Sequence, residues 1–214
     1  MELYFSPMAC SLATRIALYE AGAEVKFTAV DLKAKRTADG ADFLAVNPLG
    51  LVPAIRTDDG EVLTENAAVL QYIADRYPQA GLAPQGGMAR SRLHQWLCFI
   101  GTELHKALFI PLFDRTLPEQ VKTKTLEKGE SRLRHLDAHL AGRDFLLDGF
   151  SVADAYLFTV LNWKIATPVD LEKWPAIASY YARTKERPSI ARALGEEHAL
   201  YAEELRRQKA QKAS

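Results

Sequence analysis

The sequence predicts an α/β domain followed by an all-α domain. Three observations carry this. Strand-like and helix-like segments alternate over the first third of the chain, a Gly/Pro-rich stretch without periodicity follows, and every later apolar pattern repeats at helical spacing. With 214 residues the chain can bury two modest cores. The boundaries expected are 1–78 for the first domain, 79–87 for a linker and 88–214 for the second.

Leu3-Tyr4-Phe5 is a short apolar strand, after which Leu12, Ile16 and Tyr19 recur at helical spacing up to Gly22, a natural C-terminal stop. Val25 to Val30 alternates at period two and makes a second strand; the charged run Asp31 to Asp42 is a loop with room for a short helix. Leu51 to Ile55 and Glu61 to Leu63 flank Asp58-Asp59-Gly60, which predicts a hairpin turning at Asp-Gly. Val69, Tyr72, Ile73 and Tyr77 share one face of a helix stopped by Pro78.

Beyond the linker, Leu93, Trp96, Leu97, Ile100, Leu104, Ala107 and Leu108 make an apolar face expected to break at Pro111, and Leu126, Leu133, Leu136 and Leu140 make another. Ser151-Val152-Ala153-Asp154 opens a third helix with a Ser-x-x-Asp N-cap arrangement, whose apolar run reaches Trp163. Two shorter helices are expected from Pro175 to Lys185 and from Ser189 to Tyr201, with a frayed Lys- and Ala-rich end after Arg206.

Lys plus Arg equal Asp plus Glu at 27 each, so no global field draws the protein to nucleic acid or an anionic membrane, and a charged ligand must be caught by a local site. The N-terminus shows no basic segment followed by an apolar run, and no stretch approaches the ~20 apolar residues of a membrane span, so a cytoplasmic protein is expected. Cys10 and Cys98 match no metal spacing or disulfide framework, which suits a reducing compartment.

Five segments then fall in a recognisable order: Tyr4-Phe5-Ser6-Pro7-Met8-Ala9-Cys10-Ser11, Asn47-Pro48-Leu49-Gly50-Leu51-Val52-Pro53-Ala54, Thr64-Glu65-Asn66-Ala67, Thr102-Glu103-Leu104-His105-Lys106 and Ser151-Val152-Ala153-Asp154-Ala155-Tyr156. With them the chain resembles the cytosolic glutathione transferases over nearly its whole length, and Cys10 with His105-Lys106 makes it similar to the bacterial beta class in particular. The resemblance implies a thioredoxin-like first domain with a mixed four-stranded sheet. It also implies glutathione as co-substrate with no other cofactor, a small hydrophobic electrophile as second substrate, a role in detoxification and a homodimer.

Each site residue carries two readings. Cys10 lies between a strand and a helix start, where exposed N–H groups and the helix dipole favour a thiolate; a small buried cysteine without chemistry is the alternative. In the beta class the equivalent cysteine contacts the glutathione sulfur and can hold it as a mixed disulfide. Ser11 either caps the first helix or donates to the glutathione thiolate. Pro53 is the cis-proline candidate of the thioredoxin-like pattern, which presents the main chain of Val52 to the peptide part of glutathione.

Glu65 and Asn66 stand at the entrance of a helix, where N–H groups bind a carboxylate and an acid meets an ammonium, as the γ-glutamyl head requires; an ordinary N-cap is the alternative. Asn66 stands where the wider family often has Ser. Lys35 matches a beta-class lysine that meets the glycine carboxylate, and is otherwise a solvated loop lysine. His105 and Lys106 are placed by the motif to polarise the sulfur and balance its charge; a structural helix histidine is the alternative.

Cys98 departs from the class, which commonly has there an asparagine that reaches glutathione in the partner subunit. His135 and His139 are four apart, but Leu136 stands where a metalloprotease pattern needs Glu, so no metal is expected. Phe99, Phe109 and Phe113 either line a pocket for an apolar co-substrate or belong to the core. Two rival functions stay open. One is glutathione-dependent thiol-disulfide exchange or peroxide reduction through Cys10, and the other is a noncatalytic interaction or stress-response protein on the same fold.

Overall fold

The computed structural model describes residues 1–213, and side chains up to residue 207. By packing, the chain forms two compact units: Met1–Ile73 with Arg187–Ser214, and Ala74–Glu186. This departs from the expected boundaries at the C-terminal end, where the last helix joins the first unit rather than the helical one. The reason lies in its buried stripe: Ile190, Ala193 and Leu194, followed by Glu197, recur at helical spacing and face the first helix.

In the first unit β1 (Glu2–Phe5) leads through α1 (Leu12–Glu20) to β2 (Lys26–Asp31). The chain continues through β3 (Arg36–Thr37), β4 (Ala54–Arg56) and β5 (Val62–Thr64) into α2 (Asn66–Arg76). The strand order is β3-β2-β1-β4-β5. β1 is central, pairing parallel with β2 through Leu3 opposite Phe27 and antiparallel with β4 through Leu3 opposite Ile55. Residues Leu12 to Leu18 of α1 are all buried. α1 ends where Gly22 takes a φ of 62°, with Ala23 N–H closing back on the Leu18 carbonyl.

The sheet has five strands, not four. The extra strand comes from the charged run read as loop. The Asp31 carboxylate accepts N–H bonds from Lys33 and Ala34, and Lys35 adopts a φ of 56°, so the chain reverses and Arg36–Thr37 pairs antiparallel with the end of β2. Tyr4, Val30, Phe43, Val52 and Ala54 form the core cluster beneath, with Ala9, Leu32 and Val46 packed against it. α7 (Pro188–Ala213) completes the unit. It passes through the segment beyond Arg206 expected to fray; side chains after 207 lie outside the described residues.

The second unit contains α3 (Gly87–Phe113), α4 (Glu119–Leu140), α5 (Val152–Asn162) and α6 (Pro175–Lys185). Every residue of α5 is buried, as a helix that is apolar all round demands. Its start is a capping box: the Asp154 carboxylate accepts from Ser151 N–H and Oγ–H, from Leu146 N–H and from the Tyr180 hydroxyl. Burial lifts Asp154 to about 6 in spite of these donors.

α3 does not stop at Pro111. Between Ile100 and Phe109 its turns widen, so that Ile110 N–H donates to the His105 carbonyl five residues back. A proline inside a helix crowds the carbonyl four residues before it, and a wider turn relieves that crowding. At 27 residues α3 is long and apolar enough to cross a membrane by length and composition. Within the unit, however, Leu93, Trp96, Leu97, Ile100, Leu104, Leu108 and Phe109 are buried, and α4 and α5 pack against its length.

Candidate functional site

The loop from Ser6 to Ser11 joins β1 to α1 and carries Cys10. Met8 holds a φ of 63°, a left-handed conformation that L-residues seldom adopt. Cys10 is half-buried, and its Sγ–H donates to the Val52 carbonyl at 3.1 Å. The expected exposed N–H groups at the start of α1 are partly used within the chain. Leu12 N–H donates to the Ala9 carbonyl at 3.1 Å and Ala13 N–H to the Cys10 carbonyl at 3.2 Å.

Ser11 does not cap α1. Its own backbone is already helical, and its buried hydroxyl turns back to Ser6, donating to the Ser6 carbonyl and accepting the Ser6 N–H, each at 3.2 Å. The hydroxyl therefore closes the loop around Cys10.

Three other expected residues converge on this loop. Val52 and Pro53 precede β4, joined by a cis peptide bond. Asn66, the first residue of α2, is buried; its Nδ2 donates to the Cys10 carbonyl at 3.1 Å and its Oδ1 accepts the Thr14 hydroxyl at 3.2 Å. The Asn66 side chain is thereby spent on holding two helix starts together, which leaves its main chain to meet a ligand. Glu65, exposed and at a φ of 66°, delivers its carbonyl to Val69 N–H at the first turn of α2.

Lys35 reaches the same side of the unit through the reversal that makes β3. Its Nζ donates to the Gly50 carbonyl at 2.9 Å, two residues before Val52. Gly50 permits the approach: a Cβ there would lie 2.8 Å from the Lys35 Cδ. An ammonium has three donors, so Lys35 keeps others for a carboxylate.

His105 and Lys106 belong to the second unit and diverge. Lys106 is exposed. His105 is buried, its Nδ1 bonded to the Tyr156 hydroxyl at 2.7 Å and its ring edge-on to Trp163 at 4.9 Å. Burial first, then the neighbouring Lys106 charge, pull His105 down to about 4. It is neutral near pH 7 and cannot balance an anion's charge, a correction to the role expected of it.

His139 and His135 pack on Trp96 at 4.4 and 5.9 Å, and His139 Nε2 bonds the Leu146 carbonyl. Among the described residues no group of three or more His, Cys, Asp or Glu is placed to hold a metal ion. Cys98 is exposed on α3. Of the three phenylalanines considered for a pocket, Phe109 is buried, whereas Phe113 stands partly exposed and edge-on to Trp163 at 5.4 Å.

Two residues escaped the sequence reading. Arg15 and Glu197 are both buried and bonded to each other at 2.9 Å. The signal was present: Glu197 follows Ile190 by seven residues and Ala193 by four, an acid on an apolar face, and Arg15 sits within the apolar run of α1.

Comparison with known proteins bears on this arrangement. Residues 1–75 match the family model of the glutathione S-transferase N-terminal domain, and residues 119–183 that of the C-terminal domain. Glutathione S-transferase GstA of Escherichia coli O157:H7 is 42% identical over 92% of this chain and 98% of its own. The chain belongs to the glutathione S-transferase family.

Solved members agree. A sphingomonad glutathione S-transferase complexed with glutathione is 46% identical, with a TM-score of 0.88 over 92% of this chain and 99% of that one. The bacterial beta class glutathione S-transferase of Sphingomonas chungbukensis is 44% identical, with a TM-score of 0.87 over 92% and 98%. The beta-class resemblance and the thioredoxin-like plus helical architecture stand on these matches.

Proposed function

We propose that this glutathione S-transferase binds reduced glutathione at the Cys10 loop and transfers its thiolate to small apolar electrophiles. The observation that carries the reading is the convergence of Cys10, Val52, Lys35 and the Glu65–Asn66 helix start within one unit, from four separate stretches of sequence. Lys35 is assigned the glycine carboxylate, the main chain of Val52 the peptide, the start of α2 the γ-glutamyl carboxylate, and Glu65 its ammonium. The Cys10 thiol and the positive end of α1 face the sulfur. Ser11 acts by closing the loop around Cys10. In the second unit Phe113, partly exposed and edge-on to the buried Trp163, offers an apolar surface of the kind a small electrophile would contact.

The same site supports thiol-disulfide exchange. The Cys10 thiolate attacks a glutathione mixed disulfide, releases the other thiolate and becomes the Cys10–glutathione disulfide. A second glutathione thiolate then displaces Cys10 and leaves as oxidised glutathione. On the family pattern we take the enzyme to act in detoxification as a cytoplasmic homodimer, with glutathione as co-substrate and no separate cofactor.

Calorimetric titration with reduced glutathione, followed by mass spectrometry after mild oxidation, tests the reading. Saturable binding and one glutathione added at Cys10 are expected. Absence of binding at millimolar ligand would replace it with the interaction-protein alternative.

A further inference from the structure

The Cys10 loop is held from the far end of the chain. Glu197, fully buried on α7, accepts the Met8 N–H at Oε2 (2.7 Å) and the Arg15 Nε–H at Oε1 (2.9 Å). Arg15 lies between the rings of Phe5 and Phe27, 4.2 Å from each centroid, and extends Nη1 to Glu196 and to the Tyr19 hydroxyl. A buried carboxylate is tolerated only when paired and hydrogen-bonded, so the guanidinium is what permits an acid to stand there.

We infer that Glu197 is a positioning residue for Cys10: its carboxylate holds the left-handed turn at Met8 and so sets where the Cys10 thiol points. The inference rests on Cys10 as the sulfur-handling residue. Ser11 and Asn66 tie the loop at Ser6 and at the Cys10 carbonyl, but neither reaches Met8, the one loop residue with a positive φ. A main-chain N–H bonded to a carboxylate is shorter and stronger than one bonded to a neutral acceptor. Protonation of Glu197 would therefore loosen the turn.

The groups facing Glu197 are Arg15 and the Met8 N–H, with Glu196 beside it and Tyr19 and Arg192 bonded to Glu196. Burial raises the Glu197 carboxyl to about 7, against Arg15 and the Met8 N–H, which lower it. The clamp thus weakens as pH falls through neutrality.

The test is the alkylation rate of Cys10 by iodoacetamide from about pH 5.5 to about pH 8.5, in a Cys98→Ser background. Glu197→Gln and Glu197→Asp are compared with the parent, with near- and far-UV circular dichroism and the glutathione KM and kcat of each. Glu197→Gln should slow alkylation about threefold or more near pH 7, flatten the inflection there, and raise KM more than it lowers kcat. Glu197→Asp keeps the charge for Arg15 while drawing the acceptor back from Met8, so it should slow Cys10 in the same direction, and it serves as the second readout if circular dichroism finds the glutamine variant unfolded. Folded variants whose Cys10 profile coincides with the parent would overturn the inference and leave Glu197 a strut between α1 and α7. Because alkylation requires no glutathione, a parent that fails to bind glutathione would sink the proposed function without touching this comparison.

Discussion

The Val52 carbonyl oxygen lies 3.1 Å from the Cys10 Sγ, across a sequence separation of 42 residues. The two ends of the site, one at a helix start and one before a strand, thus meet at a thiol and a main-chain acceptor. Replacing Cys10 with Ala removes one modest hydrogen bond, worth about 1 kcal/mol, so the fold should persist with a midpoint lowered by only a few degrees. Exchange with oxidised glutathione should vanish, while conjugation to an aryl halide continues at a reduced rate. Intact mass after oxidation and the rate of adduct formation separate the two.

Lys35→Ala should weaken glutathione binding about tenfold, equivalent to about 1.4 kcal/mol, and should make the remaining affinity less sensitive to salt. Calorimetry at two ionic strengths reads both effects. An unchanged affinity would confine Lys35 to bracing Gly50.

Asp154→Ala takes the carboxylate acceptor from Ser151 N–H and Oγ–H and from Leu146 N–H, and leaves the Tyr180 hydroxyl only the main-chain carbonyl of residue 154. Losing a buried charged acceptor costs about 3 kcal/mol, which for a chain of this length corresponds to a melting point lower by about 6–12 °C. Thermal denaturation followed by circular dichroism measures it.

His105 makes acid destabilising. Burial pulls its pKa down to about 4 in the folded protein from the ordinary histidine value of about 6.5, so between those values the unfolded chain takes a proton that the native state refuses. The stability this group supplies is present above about 6.5 and is lost as pH falls towards 4, amounting to about 3 kcal/mol over the full range. Asp154 and Glu197 are raised instead, so their contributions are lost as pH rises through about 6 and about 7. Comparing denaturation midpoints of the parent and His105→Gln near pH 7.5 and pH 5 isolates the histidine: the variant should lose less on acidification. Equal losses would mean that His105 takes its proton in the folded state.

The regular parts of the fold were legible because period and punctuation agreed. Pro175 to Lys185 is a helix at its expected limits, and Ser151 with Asp154 caps α5 as the Ser-x-x-Asp spacing implies. What escaped depends on contacts that periodicity does not encode. β3 exists because Asp31 folds the chain back on itself, α3 survives Pro111 by widening its turns, and α7 leaves the helical part because its stripe fits α1. Within the site, residue types were readable but directions were not. Ser11 turns to Ser6 rather than to the helix, the Asn66 amide is consumed internally, and His105 points into the core.

The bond between Arg15 and Glu197 joins residues 182 apart. During synthesis at about 5–20 residues per second, the N-terminal strands and α1 wait roughly 10 to 40 seconds before the residue that completes them is made. Through that interval the Arg15 guanidinium has no Glu197 carboxylate to meet and Met8 N–H lacks its acceptor. A nascent chain stalled before residue 187, or a mature one clipped there by a protease, would retain the glutathione-facing sequence in full and still lack the group that sets its reactive loop.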